Sequence, residues 1–277
     1  MEKLIITADG DISGMRMSDF LKRRLGFSAS LVTRVKFGGV SLNGEVVTMR
    51  AIVNGGDTVA ITFEPEESEN IPPIDIPLDI IYEDEHILAV NKPSDMPTHP
   101  SRGNHLPTLA NAVRAYLGEG FVFRAVNRLD RGTSGIVVIA KNPFAATKLG
   151  RAMKERKIHK KYRAIVEGVP SPGKGRIAMP IARECEGSIK RVVREDGKEA
   201  ITDYRVIESY GDSSLVEVTL HTGRTHQIRV HLSYVGHPLV GDFLYGEEKD
   251  GGYYLTCYEI TLPHPLTNEV LTLAIKK

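Results

Sequence analysis

Cysteine is scarce in this sequence: among 277 residues it occurs only at Cys185 and Cys257. Two cysteines so far apart give neither a disulfide framework nor metal-type spacing, and they fit a reducing compartment. Long apolar runs are missing as well, none approaching the roughly 20 residues a membrane helix needs. The opening residues Met1-Glu2-Lys3-Leu4-Ile5 lack the pattern of a signal peptide. A cytoplasmic protein with no membrane association is therefore expected. No phosphate loop occurs, because Gly132-Thr133-Ser134-Gly135 lacks the lysine, and no Gly-x-Ser-x-Gly elbow is present. Excess charge is nearly absent too, at +1.

That small net charge conceals strong segregation. Six basic residues and one acid lie between Arg16 and Lys36, and eight bases and one acid between Lys148 and Arg163. Between Glu64 and Asn91 there are nine acids and no lysine or arginine. Two positive surfaces suited to a polyanion, separated by an acidic connector, are the natural reading. Solvated helix faces are the plainer alternative. Hydrophobic content of 41% and charged content of 26% are ordinary for a globular chain. The length allows one large domain and one small one.

Residues 1–64 form the first expected unit. Apolar positions 17, 20, 21 and 25 share one helical face, with Ser18 as a plausible N-cap, and a second helix runs over Phe27–Phe37 until Gly38-Gly39 stops it. Short strands follow at Val40–Leu42, Val46-Val47 and Asp57–Ile61, with a turn at Asn43-Gly44. Residues 65–77, rich in Glu and Pro, read as a linker unable to form a core. The second unit, 78–277, opens with a hairpin over Ile80–Pro93, followed by a helix at Leu109–Leu117. Asn142 and Pro143 start another helix, which runs to about Arg156. Strands are expected at Lys160–Val166, Ala200–Ile207, Leu215–Leu220 and Val270–Ile275, and a helical stripe at Ile228, Leu232 and Val235.

The centre of this unit is Arg128-Leu129-Asp130-Arg131-Gly132-Thr133-Ser134-Gly135, followed by the buried-strand run Ile136–Ala140. Asp130 sits in a loop between two arginines, and nearby cations favour the ionised carboxylate. A turn-capping aspartate is the alternative from the residues alone. Arg229 lies one step round the helix from Ile228, at the edge of the buried face, where a cation needs an anionic partner. His221, His226, His231 and His237 invite a metal reading, but spacings of five or six do not stack on one helical face, so no metal is expected. Glu83 and Glu85 read as solvated turn carboxylates.

The Arg-Leu-Asp-x-x-Thr-Ser-Gly stretch resembles the signature of the pseudouridine synthases that modify large-subunit ribosomal RNA and some transfer RNAs. Glu83-Asp84-Glu85, Asn91-Lys92-Pro93, Lys160-x-Tyr162 and Gly223-Arg224-x-His226-Gln227-Ile228-Arg229-x-His231 match that family in order. One departure is Asn127, where the family most often has His; it is expected to bear on RNA contacts rather than chemistry. Residues 1–64 resemble the small RNA-binding domain first seen in a ribosomal small-subunit protein.

The resemblance implies an α+β fold, a mixed, mostly antiparallel sheet with flanking helices, plus a small N-terminal α/β RNA-binding domain. It implies an isomerase that flips a uridine out of structured RNA and rejoins its base through carbon, with no cofactor. Asp130 would be the catalytic carboxylate, Arg229 its ion-pair partner, and Tyr162 the ring stacked on the base. Arg128 would fill the vacated space. Arg131, Lys148, Arg151, Lys160, Lys161 and Arg224 would hold the RNA, as would Arg23, Arg24, Arg34 and Lys36 of the first unit. The loops Ser94–Pro107 and Glu184–Lys198 would choose the target. A transfer-RNA synthase or a non-catalytic RNA-binding or ribosome-assembly factor of the same fold are the alternatives, and a monomer is expected.

Overall fold

The computed structural model describes residues 3–64, 71–100, 107–118, 120–246 and 252–275. In the first unit, strands Lys3–Thr7, Thr58–Thr62, Val40–Leu42 and Glu45–Val46 form one antiparallel sheet. Helical segments Met17–Asp19, continuing through Phe20–Arg24, and Ala29–Arg34 cover it. Met17, Phe20, Leu21, Leu31 and Val35 are buried against Leu4, Val40, Val59 and Ile61. Ser28 caps the second helix by accepting from the Leu31 N–H at 3.2 Å. The expected Ser18 cap is corrected: the helix starts at Met17, and the Ser18 N–H donates to the Met49 carbonyl. Phe144 of the second unit belongs to this same core and lies 5.3 Å from Phe27, ring to ring.

The expected linker is corrected in its second half. Residues 65–70 lie outside the described residues, but Ile71 is buried. Pro72 and Ile71 carbonyls accept from Asn111 Nδ2 and Arg114, and the Ile74 N–H donates to the Asn111 carbonyl. A helix side chain that satisfies strap carbonyls turns a polar segment into part of the domain.

The large sheet is built from β1 (Ile80–Glu83), β2 (Ile87–Lys92), β3 (Ser134–Ala140), β4 (His159–Glu167), β5 (Lys174–Ile177), β6 (Thr202–Ser209), β7 (Ser213–Leu220), β8 (Leu255–Pro263) and β9 (Val270–Ala274). Its order is β5-β6-β7-β4-β8-β3-β2-β1, with β9 also on β8. Helices α1 (Leu109–Leu117), α2 (Pro143–Lys154) and α3 (Gln227–Tyr234) flank it. Asn142 caps α2 by accepting from the Ala145 N–H at 2.8 Å, with Pro143 in the first turn. Leu149 and Ala152 of α2 face the core. In α3, Ile228 and Leu232 are buried, whereas Val235 falls just after the helix and is exposed.

Strand β3 is buried along Gly135–Ala140. Each large apolar side chain there contributes about 1.5–3 kcal/mol on leaving water. Its pairing with β8 is parallel, the other described pairings of this sheet being antiparallel. The approach at this seam demands glycine: Gly135 has φ +112°, and a Cβ there would lie 2.3 Å from the Cys257 carbonyl oxygen.

Strand β4 alternates as its sequence predicts. Tyr162, Ala164 and Val166 face the core with Val216 and Val218. The other face is solvated and charged, with Arg205 2.9 Å from Glu217 and Arg163 stacked 4.5 Å over the Tyr258 ring. The β4–β8 register slips between Lys161 and Tyr162. Such bulges re-aim side chains beside functional sites. Lys161 lies on the strand face opposite Tyr162, away from the cleft, and pairs with Glu259 at 2.9 Å.

Candidate active site

The loop entering β3 is clamped by the segment leaving β2. Thr98 Oγ1 donates to the Leu129 carbonyl at 2.8 Å and accepts from the Leu129 N–H at 3.2 Å. Ser94 Oγ donates to the Gly132 carbonyl at 2.8 Å. Lys92, fully buried, donates from Nζ to the Pro93, Met96 and Arg131 carbonyls at 2.8, 2.7 and 3.3 Å. Burial pushes its amine down to about 8, against the pull of the Asp130 and Asp95 carboxylates. Within the loop, the Thr133 N–H donates to the Asp130 carbonyl, closing a turn that leaves the Asp130 side chain partly exposed.

Asn127 is buried, donating from Nδ2 to the Ile136 carbonyl and accepting from the Val138 N–H. It pins the loop to β3. The expectation that it bears on RNA contacts is corrected, since both its polar atoms are spent on strand backbone.

Asp130 opens onto a cleft of about 70 Å³ lined also by Arg128, Tyr162, Arg224, His226 and Arg229. The structure thus brings the three expected catalytic residues to one place from a loop, a strand and a helix. Tyr162 is buried, which raises its hydroxyl well above the ordinary range, and that hydroxyl meets the Cys257 thiol. Arg128 is exposed, and no ion pair or hydrogen bond ties its side chain to another described residue. Arg224 holds its place by donating from Nε to the Glu199 carbonyl at 2.8 Å.

Arg229 departs from expectation. Its Nε and Nη2 donate to the two oxygens of Asp242, both at 2.7 Å, and neither group is solvated. The rings of Tyr253, Tyr245 and Phe243 surround the guanidinium at 4.4, 4.9 and 5.8 Å. Burial opposes its charge, and the Asp242 pair with its surroundings more than offsets this, holding Arg229 above its usual range. The direct pair with Asp130 is therefore corrected: a carboxylate 13 residues on, in the turn after α3, takes the bidentate geometry first. Among the described residues, His226 stands in ion-pair range of Asp130, with Nε2 3.9 Å from Oδ2.

The other expected RNA contacts scatter. Arg131 pairs outside the cleft with Asp95 at 2.8 Å. Lys160 is partly buried with Nζ beside Gly223. Lys148 and Arg151 line a separate groove of about 670 Å³ with Lys157, His159 and His264, sharing no residue with the Asp130 cleft. Arg23, Arg24, Arg34 and Lys36 are on the surface of the first unit, Arg24 pairing with Asp11 and Asp9. Residues 101–106 of the Ser94–Pro107 loop lie outside the described residues.

Sequence reasoning gave no role to Asp242, Tyr245 or Lys92, naming Lys92 and His226 within the family motifs and His226 otherwise as a metal candidate. Lys92 carried a signal, because it continues the Leu88, Val90 phase of a buried strand. The four histidines have separate partners: His221 meets Asp203, His226 meets Tyr245, His231 meets Thr202, and His237 meets the Glu167 carbonyl.

Comparison with known proteins agrees with this geometry. Residues 86–234 match the family described as RNA pseudouridylate synthase. An uncharacterized RNA pseudouridine synthase of Bacillus subtilis, YjbO, is 40% identical over 253 residues, 88% of this chain and 89% of that protein. Ribosomal large subunit pseudouridine synthase D of Pasteurella multocida is 39% identical over 254 residues, 89% of this chain and 78% of that one. Among solved structures, human RNA pseudouridylate synthase domain containing 1 superposes with a TM-score of 0.62 at 30% identity, covering 73% of this chain and 84% of its own. With a matched core spanning both the Asp130 loop and α3, and relatives aligned over most of its length, this chain belongs to the RNA pseudouridine synthase family.

Proposed function

We propose that this RNA pseudouridine synthase acts on large-subunit ribosomal RNA, with Asp130 as the carboxylate that attacks a flipped uridine. The observation that carries this reading is the convergence of Asp130, Tyr162, Arg128 and Arg229 on one cleft at the centre of the sheet. Relatives named for the ribosomal large subunit, aligned over most of this chain, support the choice of RNA.

The isomerisation breaks the bond from ribose to the ring nitrogen, turns the base and reforms the bond at carbon five, where a proton is lost. It needs an anionic partner for the reacting uridine and a site that retains the detached base. Asp130 supplies the anion, on a loop that Thr98, Ser94 and Lys92 prevent from shifting. Such positioning is where the rate is won. Tyr162 forms one wall, and a phenol held protonated by burial favours stacking over action as a resting base. Arg128, exposed at the rim, is suited to fill the gap a flipped base leaves, offsetting part of an unstacking cost of a few kcal/mol. Arg229, already neutralised by Asp242, contributes by fixing the aromatic wall and the cleft's shape. Surface cations of the first unit supply affinity for phosphates without reading sequence.

The test is release of tritium from carbon-five-labelled uridine in large-subunit rRNA. Asp130→Asn is expected to abolish release while leaving RNA affinity within about threefold, because one exposed carboxylate contributes little to phosphate binding. Retained turnover removes Asp130 from the chemistry. Release from transfer RNA but not from rRNA reassigns the substrate.

A further inference from the structure

His226 occupies a backbone position that few residues other than glycine take. It stands just before α3 with φ +58° and ψ +19°, in the left-handed region, and its side chain caps no helix N–H. A non-glycine residue there costs on the order of 1 kcal/mol and persists where surrounding contacts determine it. Those contacts form a chain. The Arg191 N–H donates to Tyr245 Oη at 2.9 Å. Tyr245 Oη lies 2.8 Å from His226 Nδ1. His226 Nε2 lies 3.9 Å from Asp130 Oδ2.

One assignment of hydrogens gives each nitrogen and oxygen of this chain of contacts a matched partner. A tyrosine hydroxyl has one hydrogen, and Tyr245 Oη has two hydrogen-bond partners among the described residues. The Arg191 N–H can only donate, so the Tyr245 hydrogen is free for Nδ1. The phenol stays protonated, burial pushing it up to about 12. The imidazole is drawn towards neutrality, mainly by burial, with Arg229 and Arg191 acting in the same direction and Asp130 and Asp242 opposing. A neutral ring that accepts at Nδ1 carries its hydrogen on Nε2, the nitrogen that faces the carboxylate.

We propose that His226, locked by Tyr245 as the Nε2–H tautomer, is the positioning residue that orients the Asp130 carboxylate through an N–H donor carrying no formal charge. Closure of about 1 Å brings Nε2 to hydrogen-bond distance, a tightening common between free and substrate-bound sites. The role goes to His226 because Arg229 is committed to Asp242. A neutral donor also leaves the carboxylate more nucleophilic than a guanidinium pair would. The inference rests on the synthase reading above.

Two substitutions separate positioning from backbone tolerance. Asn accepts left-handed backbone better than His, but its amide reaches only to the place of Nδ1. Gln strains the backbone, yet its amide reaches the place of Nε2. Single-turnover tritium release is expected to fall roughly ten- to a hundredfold in His226→Asn and less in His226→Gln, with RNA affinity unchanged. If His226→Asn matches wild type, or exceeds His226→Gln, the residue serves only the turn and the proposal is overturned.

Tyr245→Phe frees the tautomer. Its rate relative to wild type is expected to be low near pH 7.5 and to recover towards about pH 5.5, where the imidazolium carries hydrogen on both nitrogens. A ratio flat with pH overturns the relay. Nitrogen-15 NMR of the free, full-length protein reads the tautomer without any RNA: an Nε2-protonated neutral ring supports the proposal, and an Nδ1-protonated ring overturns it. Wild type inactive on every RNA would instead defeat the synthase reading, leaving the NMR result to decide the hydrogen-bond chain.

Discussion

Replacing Asp242 by asparagine would strand one of the most deeply buried cations in the molecule. Arg229 is 4% exposed and Asp242 0%, and two bonds of 2.7 Å join them. Asp242 Oδ1 also receives the Leu244 and Tyr245 N–H groups, so an asparagine keeps that oxygen in place. Its amide nitrogen then faces Arg229 Nε, donor against donor. The three surrounding rings attract the guanidinium by about 0.5–2 kcal/mol, too little to replace a carboxylate. Leaving one member of such a pair costs about 3–5 kcal/mol. That is a large part of a typical 5–15 kcal/mol, and it corresponds to a Tm lower by about 6–20 °C. Removing both charges, in Arg229→Met with Asp242→Asn, is expected to recover much of that loss, because no unpaired cation remains and the asparagine oxygen still accepts the Leu244 and Tyr245 N–H groups. Urea unfolding of the singles and the double gives the coupling directly. The reasoning is refuted if Asp242→Asn unfolds within about 0.5 kcal/mol of wild type, as a surface substitution would. It is equally refuted if the double variant is no more stable than the single. A stable double variant then allows tritium release to report on Arg229 in an intact fold.

Gly135→Ala should cost more than about 3 kcal/mol or prevent soluble expression, since a methyl group must displace the Cys257 backbone at unfavourable φ; near-normal Tm would show that the seam can open. Lys92 titrates at about 8 in the fold against an ordinary 10.5, so the unfolded chain holds the proton more tightly and stability rises with pH between those values. The rise is about 3 kcal/mol at most, and it should be missing from Lys92→Met in urea melts compared from pH 7 to 10. Neutralising Arg23 and Lys36 together should reduce the salt slope of RNA binding by about 2 without changing the single-turnover rate; an unchanged slope removes that surface from the footprint.

Much of the site was legible because local chemistry dictated it. The apolar run after Thr133-Ser134-Gly135 could only be a buried strand, and β-alternation put Tyr162 inside. Asn142-Pro143 announced α2 by capping alone. What sequence could not show were partners made by loops without periodicity. Asp242 follows a glycine in an irregular turn, and nothing in its spacing marks it as the counter-ion of Arg229. The left-handed backbone of His226 is likewise a tertiary outcome, because nothing in the neighbouring residues marks a left-handed turn there. The bulge beside Tyr162 depends on the register of β8, almost a hundred residues later, which no charge run could mark. The docking of Ile71 on α1 lay hidden behind the acidity of the preceding residues.

The parallel seam between β3 and β8 joins residues 122 apart, as in the bond between Ser134 and Thr256. Loop closure over that span is slow, and a chain made from its N-terminus meets it late. Until Leu255–Pro263 leaves the ribosome, the Asp130 loop has no floor beneath Gly135 and Tyr162 has no Cys257 across from it. A nascent polypeptide with everything before Leu255 in place would hold its acid on an unfinished sheet, so the ability to modify RNA waits for that strand.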